Sequence, residues 1–79
     1  MTSQLDSLDK IAMQVAKDDF TGYGVLSTGE RLYVALAANK VDLLEEDDYT
    51  IAEALVRIGP EWLDALMARW RYRGNPKKF

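Results

Sequence analysis

The chain has 79 residues, 48% of them hydrophobic and 29% charged, with a net charge of −3 and neither cysteine nor histidine. That length supports one hydrophobic core, in a domain that buries only about 60% of its unfolded surface, so one domain over residues 1–79 is expected. Missing Cys and His remove disulfides, thiolate nucleophiles, the usual zinc ligands and the commonest acid–base catalyst. The longest uncharged apolar run, Leu32 to Ala38, is far below a membrane span. No basic segment leads into an apolar one after Met1, so a cytoplasmic, soluble protein is expected.

The charge is unevenly spread. Residues 1–64 hold 13 acids against 5 bases, a net −8, whereas residues 65–79 hold 5 bases and no acid, a net +5. An acidic body thus carries a basic tail.

In chain order, Ser3 and Asp6 resemble a capping box, and Leu5, Leu8, Ile11, Ala12 and Val15 then recur at helical spacing. They predict a first helix over residues 4–17. The segment DDFTGYG, Asp18 to Gly24, combines two glycines with two aromatics and reads as a connecting loop. A short extended segment near residues 23–26 is compatible with it. Ser27 and Glu30 form a second capping box that opens a second helix, with Leu32, Ala35, Leu36 and Val34 inward. Asn39 supplies a left-handed stop and Lys40 a positive charge near its end.

An acidic stretch follows, Asp42, Glu45, Glu46, Asp47 and Asp48, and is read as a loop between the second and third helices. Thr50 and Glu53 cap the third helix, whose inward residues are Ile51, Ala54, Leu55 and Ile58. Gly59 ends it, and Pro60 suits the first position of a fourth helix. That helix carries Trp62, Leu63, Leu66, Met67 and Trp70, with Glu61 and Asp64 at its start and Arg69, Arg71 and Arg73 at its end, complementing the helix dipole. Gly74, Asn75 and Pro76 stop it and leave residues 74–79 as a basic, flexible tail. The expected fold class is all-α, a compact bundle of about four short helices.

The acidic stretch admits two readings. It is a solvated polar loop whose Asp47 and Asp48 favour the start of the next helix, or it is a patch that docks on a basic surface built to hold phosphates. Asp18 and Asp19 would extend the patch if the loops fold to one side. A calcium loop from Asp42 to Glu53 fails in detail, because Leu44 brings no side-chain oxygen and Asp47 stands where the sharp turn needs glycine. Gly22, Gly24 and Gly29 lack the strand and lysine of a phosphate loop. Ser27 and Thr28 have no histidine to activate them and are read as capping residues. No catalytic, metal or cofactor residue is assigned.

The third and fourth helices around Gly59 have the outline of a helix-turn-helix, yet Glu61 and Asp64 would face DNA phosphates. The run Arg69, Trp70, Arg71, Tyr72, Arg73, Lys77, Lys78 and Phe79 mixes basic and aromatic residues as nucleic-acid-binding segments do. Its other readings are a core role for Trp70, arginines that serve the helix end or pair with the chain's own acidic loop, or a contact with a second chain in a homodimer.

The succession DFTGYG (Asp19 to Gly24), STGER (Ser27 to Arg31), DLL (Asp42 to Leu44), YTIAEA (Tyr49 to Ala54) and RIGPEW (Arg57 to Trp62) resembles small proteins of phages and mobile elements of proteobacteria. Among them, it resembles anti-CRISPR inhibitors of type I systems, in pattern and size over roughly residues 18–70. The resemblance implies a non-enzymatic inhibitor, a DNA mimic that presents acids to a Cas subunit where target DNA would run. Asp42, Glu45, Glu46, Asp47 and Asp48 would be the partner-binding residues. Arg69, Arg71 and Arg73 form a secondary surface that departs from a pure DNA mimic.

Overall fold

A computed structural model describes the backbone of residues 2–70 and the side chains of residues 4–70. Five helices follow one another: α1 (Thr2–Ala16), α2 (Thr28–Ala37), α3 (Val41–Glu46), α4 (Ile51–Ile58) and α5 (Pro60–Trp70). No strand occurs among the described residues. The all-α bundle expected from periodicity is what forms, with one helix more than expected. The proposed tail, residues 74–79, lies outside the described residues, as do Arg71 and Arg73.

α2 is the axis of the bundle, and each of the other four helices packs against it. Its residues Leu32, Tyr33, Val34 and Ala35 are consecutively buried. A helix surrounded by partners has no outward face, so the usual one-sided stripe does not apply to it. This explains why Tyr33, which falls off the expected inward face, is nonetheless wholly buried. Its ring meets Trp62 of α5 edge-on, with centroids 5.7 Å apart. α1 contributes Leu5, Leu8, Ala12 and Val15 to the same core, at the spacing the sequence predicts.

Helix boundaries follow local chemistry. Ser27 and Thr50 cap α2 and α4, each in a complete capping box with Glu30 and Glu53. α1 starts at Thr2, ahead of the expected boundary, so Ser3 lies inside the helix instead of preceding it. Three helices end alike, with an acid or amide in the left-handed region: Asp18 (φ 66°) after α1, Asn39 (φ 60°) after α2 and Asp48 (φ 61°) after α3. In each, the next residue donates its N–H back into the last turn: Asp19 to the Gln14 carbonyl, Lys40 to Ala35, and Tyr49 to Leu44, all at 2.9 Å. These are Schellman motifs. α4 ends differently: Gly59 (φ 90°, ψ 163°) donates its own N–H to the Val56 carbonyl, and Pro60, which has no N–H to donate back, is the first residue of α5.

Four expectations are corrected. Residues 41–46 are helical, not a loop, because burial of Leu43 and Leu44 against the core outweighs the repulsion of neighbouring acids. Residues 23–26, expected to include a short extended segment, are not extended. Tyr23 and Leu26 donate their N–H groups to the Phe20 and Tyr23 carbonyls at 3.1 Å, which makes successive turns. Ile51 and Met67, expected inward, are 50% and 58% exposed.

Candidate functional site

α3 turns the acidic stretch into an ordered display. Asp42, Glu45 and Glu46 stand three and four residues apart on one helical face, opposite the buried Leu43 and Leu44, and all three are exposed. Asp48 follows in the left-handed position that ends the helix, also exposed. Among the described residues, none of these four acids has an ion-pair partner.

The neighbouring acids are used internally. Both oxygens of Asp47 accept from Arg31, Oδ2 from Nε at 3.1 Å and Oδ1 from Nη2 at 3.3 Å, in a bidentate pair. Arg31 Nη1 donates to the Leu26 carbonyl at 3.0 Å, so one guanidinium ties the 18–27 loop and the end of α3 to α2. Glu53 accepts from the Thr50 N–H at 3.0 Å and is committed to its cap. Asp47 is therefore separated from the rest of the predicted partner-binding group by its role in the fold.

The loop does fold to the side of α3. Burial pushes the Tyr23 phenol above its ordinary pKa, and the nearby charges of Asp47, Glu46 and Asp42 add to that, with Arg31 opposing. Asp18 and Asp19 do not extend the unpaired cluster. Asp18 accepts from Lys40 Nζ at 3.0 Å. Asp19 accepts from the N–H and hydroxyl of Thr21, at 3.1 and 2.6 Å, and these bonds hold its carboxyl below the usual value.

A groove of about 750 Å³ adjoins the display, between the end of α3 and the outer face of α4. Tyr49, Ala52 and Val56 give it an apolar lining, and Asp48, Glu53 and Arg57 border it. Val56 is 82% exposed. Arg57 Nη1 lies 3.6 Å from the position a Cβ on Gly29 would take, so this guanidinium reaches toward the first turn of α2. Sequence periodicity did not single the groove out. Its signal is the pair Ala52 and Val56, one turn apart on a short helix whose inward face is already supplied by Ala54 and Ile58.

The basic end behaves differently from the acidic one. Arg69 Nη1 donates to Asp9 Oδ2 at 2.7 Å and to Asp6 Oδ1 at 2.9 Å, both on α1 and neither in the acidic stretch. Asp9 Oδ1 also accepts from Tyr33 Oη and Trp70 Nε1, each at 2.8 Å. Asp9 thus gathers three donors from α2 and α5. Desolvation is the main reason that the Tyr33 phenol is pushed far above its ordinary value, and the Asp9 carboxylate reinforces it. Of the three arginines of the predicted secondary surface, the one the structure describes is already engaged in holding the fold together.

Among the described residues, no three acids gather closely enough to hold a metal ion, and no helix is long and apolar enough to cross a membrane. The former calcium candidate is split, with Asp42 on α3 and Glu53 bonded in the α4 cap. No protein-family profile, characterised protein or solved structure matches this chain.

Proposed function

We propose that this protein is a non-enzymatic inhibitor whose α3 face docks on a basic, nucleic-acid-binding protein. The observation that carries the reading is the division of labour among the acids. Asp47 and Glu53 are consumed by internal bonds, whereas Asp42, Glu45, Glu46 and Asp48 stand exposed and without ion pairs among the described residues. Asp48 strengthens it. A carboxylate at a helix C-terminus opposes the helix dipole, and the left-handed backbone there suits glycine better, so the fold is weakened where the charge is displayed. Such a face attracts lysine- and arginine-rich surfaces and repels phosphates.

The sequence resemblance suggests a Cas subunit of a type I surveillance complex as the partner, with target DNA displaced. The test uses a labelled target duplex, purified type I complexes, and the D42N/E45Q/E46Q/D48N variant, which keeps side-chain size and helical propensity. Wild type should block duplex binding, with an effect that weakens as salt rises, and the variant should lose the block while its circular dichroism is unchanged. Equal inhibition by both proteins would remove the acidic face from the mechanism. Absence of inhibition across the complexes would remove the Cas assignment.

A further inference from the structure

We propose that the α3–α4 groove receives an apolar side chain of the partner, flanked there by lysine or arginine, so that the recognised element is a basic amphipathic segment of a protein. The inference rests on the docking role proposed for the acidic face and specifies what that face reads.

Charge alone would not need this groove. A surface that only imitates a phosphate array requires exposed acids, yet here an almost fully exposed Val56 stands one helical turn from Ala52, with Tyr49 beside them, directly against Asp48. Exposed valine is unremarkable singly; three apolar residues lining one concavity next to four acids without ion pairs among the described residues form a two-part feature. The groove is open and shallow, with Val56 82% exposed, so it covers one side of an apolar side chain and does not enclose it. The rim fixes the chemistry of the occupant. Asp47, Asp48 and Glu53 border the groove against one base, Arg57, and Asp42, Glu45 and Glu46 continue the negative charge along α3, so the net field repels a phosphate backbone or an anionic lipid surface and draws in a Lys- or Arg-flanked side chain. The arrangement is that of an apolar anchor within a charged rim, in which the anchor sets the dissociation rate and the rim the encounter rate.

The experiment uses two fluorescein-labelled twelve-residue peptides, one alternating lysine with leucine and phenylalanine, the other with serine in place of each leucine and phenylalanine. Binding to the full chain is read by fluorescence anisotropy at low and at moderate salt. The apolar peptide should bind more tightly and retain more affinity as salt rises, because burial of apolar surface is not screened. Val56→Asn, at a position whose side chain is almost wholly in solvent, should weaken the apolar peptide about tenfold and leave the serine peptide unchanged. Equal affinities for the two peptides, together with no effect of Val56→Asn, would overturn the groove assignment and leave the acidic docking face standing. Failure of both peptides to bind would overturn both. If K77S/K78S/F79S raises the affinity for the apolar peptide, the occupant is the chain's own basic end, and the assignment to a partner falls. Concentration-dependent dimerisation that Val56→Asn abolishes would instead make the occupant a second copy.

Discussion

Asp9→Ala should be among the most destabilising single changes in the described part of the chain. The Asp9 carboxylate accepts from Tyr33, Trp70 and Arg69, and its side chain is only 18% exposed. Removing it leaves the hydroxyl of a fully buried tyrosine without its acceptor, which costs about 1–3 kcal/mol. The charge-assisted bond from Trp70 adds about 1.5–3 kcal/mol, while the partly exposed Arg69 pair, with its arginine 27% exposed, adds less than about 1 kcal/mol. A loss of about 3 kcal/mol is expected, within a total stability of about 4–12 kcal/mol for a domain this size. Urea unfolding followed by tryptophan fluorescence measures it, and the melting temperature should fall by roughly 12 °C or more. Asp9→Asn, which keeps one acceptor oxygen, should lose about half as much. Tyr33→Phe in the Asp9→Ala background should cost far less than Tyr33→Phe alone, since no hydroxyl is then stranded. A loss below about 1 kcal/mol for Asp9→Ala would show that water or a neighbouring acceptor satisfies Tyr33, and that the carboxylate is not what joins α1 to α5.

Further outcomes follow from the helix ends. Asp48→Gly should stabilise the fold by about 0.5–1 kcal/mol, by relieving left-handed backbone strain and an opposed dipole, while weakening partner binding; the denaturation midpoint and peptide anisotropy check the two effects. Gly59→Ala should cost about 1–3 kcal/mol from backbone strain alone, since nothing lies within 4 Å of the added Cβ. Thr50→Ala should cost about 1 kcal/mol and Ser27→Ala less, because the Thr50 cap bond is 3.1 Å and the Ser27 one 3.4 Å. Glu30 is held below its ordinary 4.5, chiefly by the Ser27 N–H and then by Gln4. Its contribution is complete above about pH 4.5 and is lost as pH falls through the lowered value, so Glu30→Gln should flatten stability measured across that acid range.

Much of the fold was legible because its boundaries are written in short signals. Ser27 with Glu30, Thr50 with Glu53, the Asn39 stop and the Gly59–Pro60 break each act within a few residues of themselves. α3 escaped notice because Lys40, at its N-cap, makes no side-chain cap bond and because only Leu43 and Leu44 mark it among acids. Tyr33 was missed because its burial depends on helices packed on every side of α2, which no single helical stripe encodes. The acids of the candidate site were legible as a charge run, but not their sorting. Asp47 is removed from the surface by Arg31, sixteen residues earlier, and Arg69 by Asp6 and Asp9, sixty or more residues earlier. Pairings at such separations leave no trace in spacing or composition.

The clamp between Asp9 and the end of α5 also bears on how the protein is made. A ribosome releases α1 first, yet the donors that complete it, Arg69 and Trp70, are synthesised some sixty residues later. Until they emerge, α1 can lie on α2 but its carboxylate has only Tyr33 to hold. The growing chain therefore lacks this tie until α5 has emerged, and a truncated product ending before Arg69 should present a loosened first helix to proteases. Once Arg69 and Trp70 are in place, the tie closes and the helix is held. In a domain with so little stability to spare, a bond between the earliest and latest described helices makes the emergence of α5 a condition for persistence of the fold.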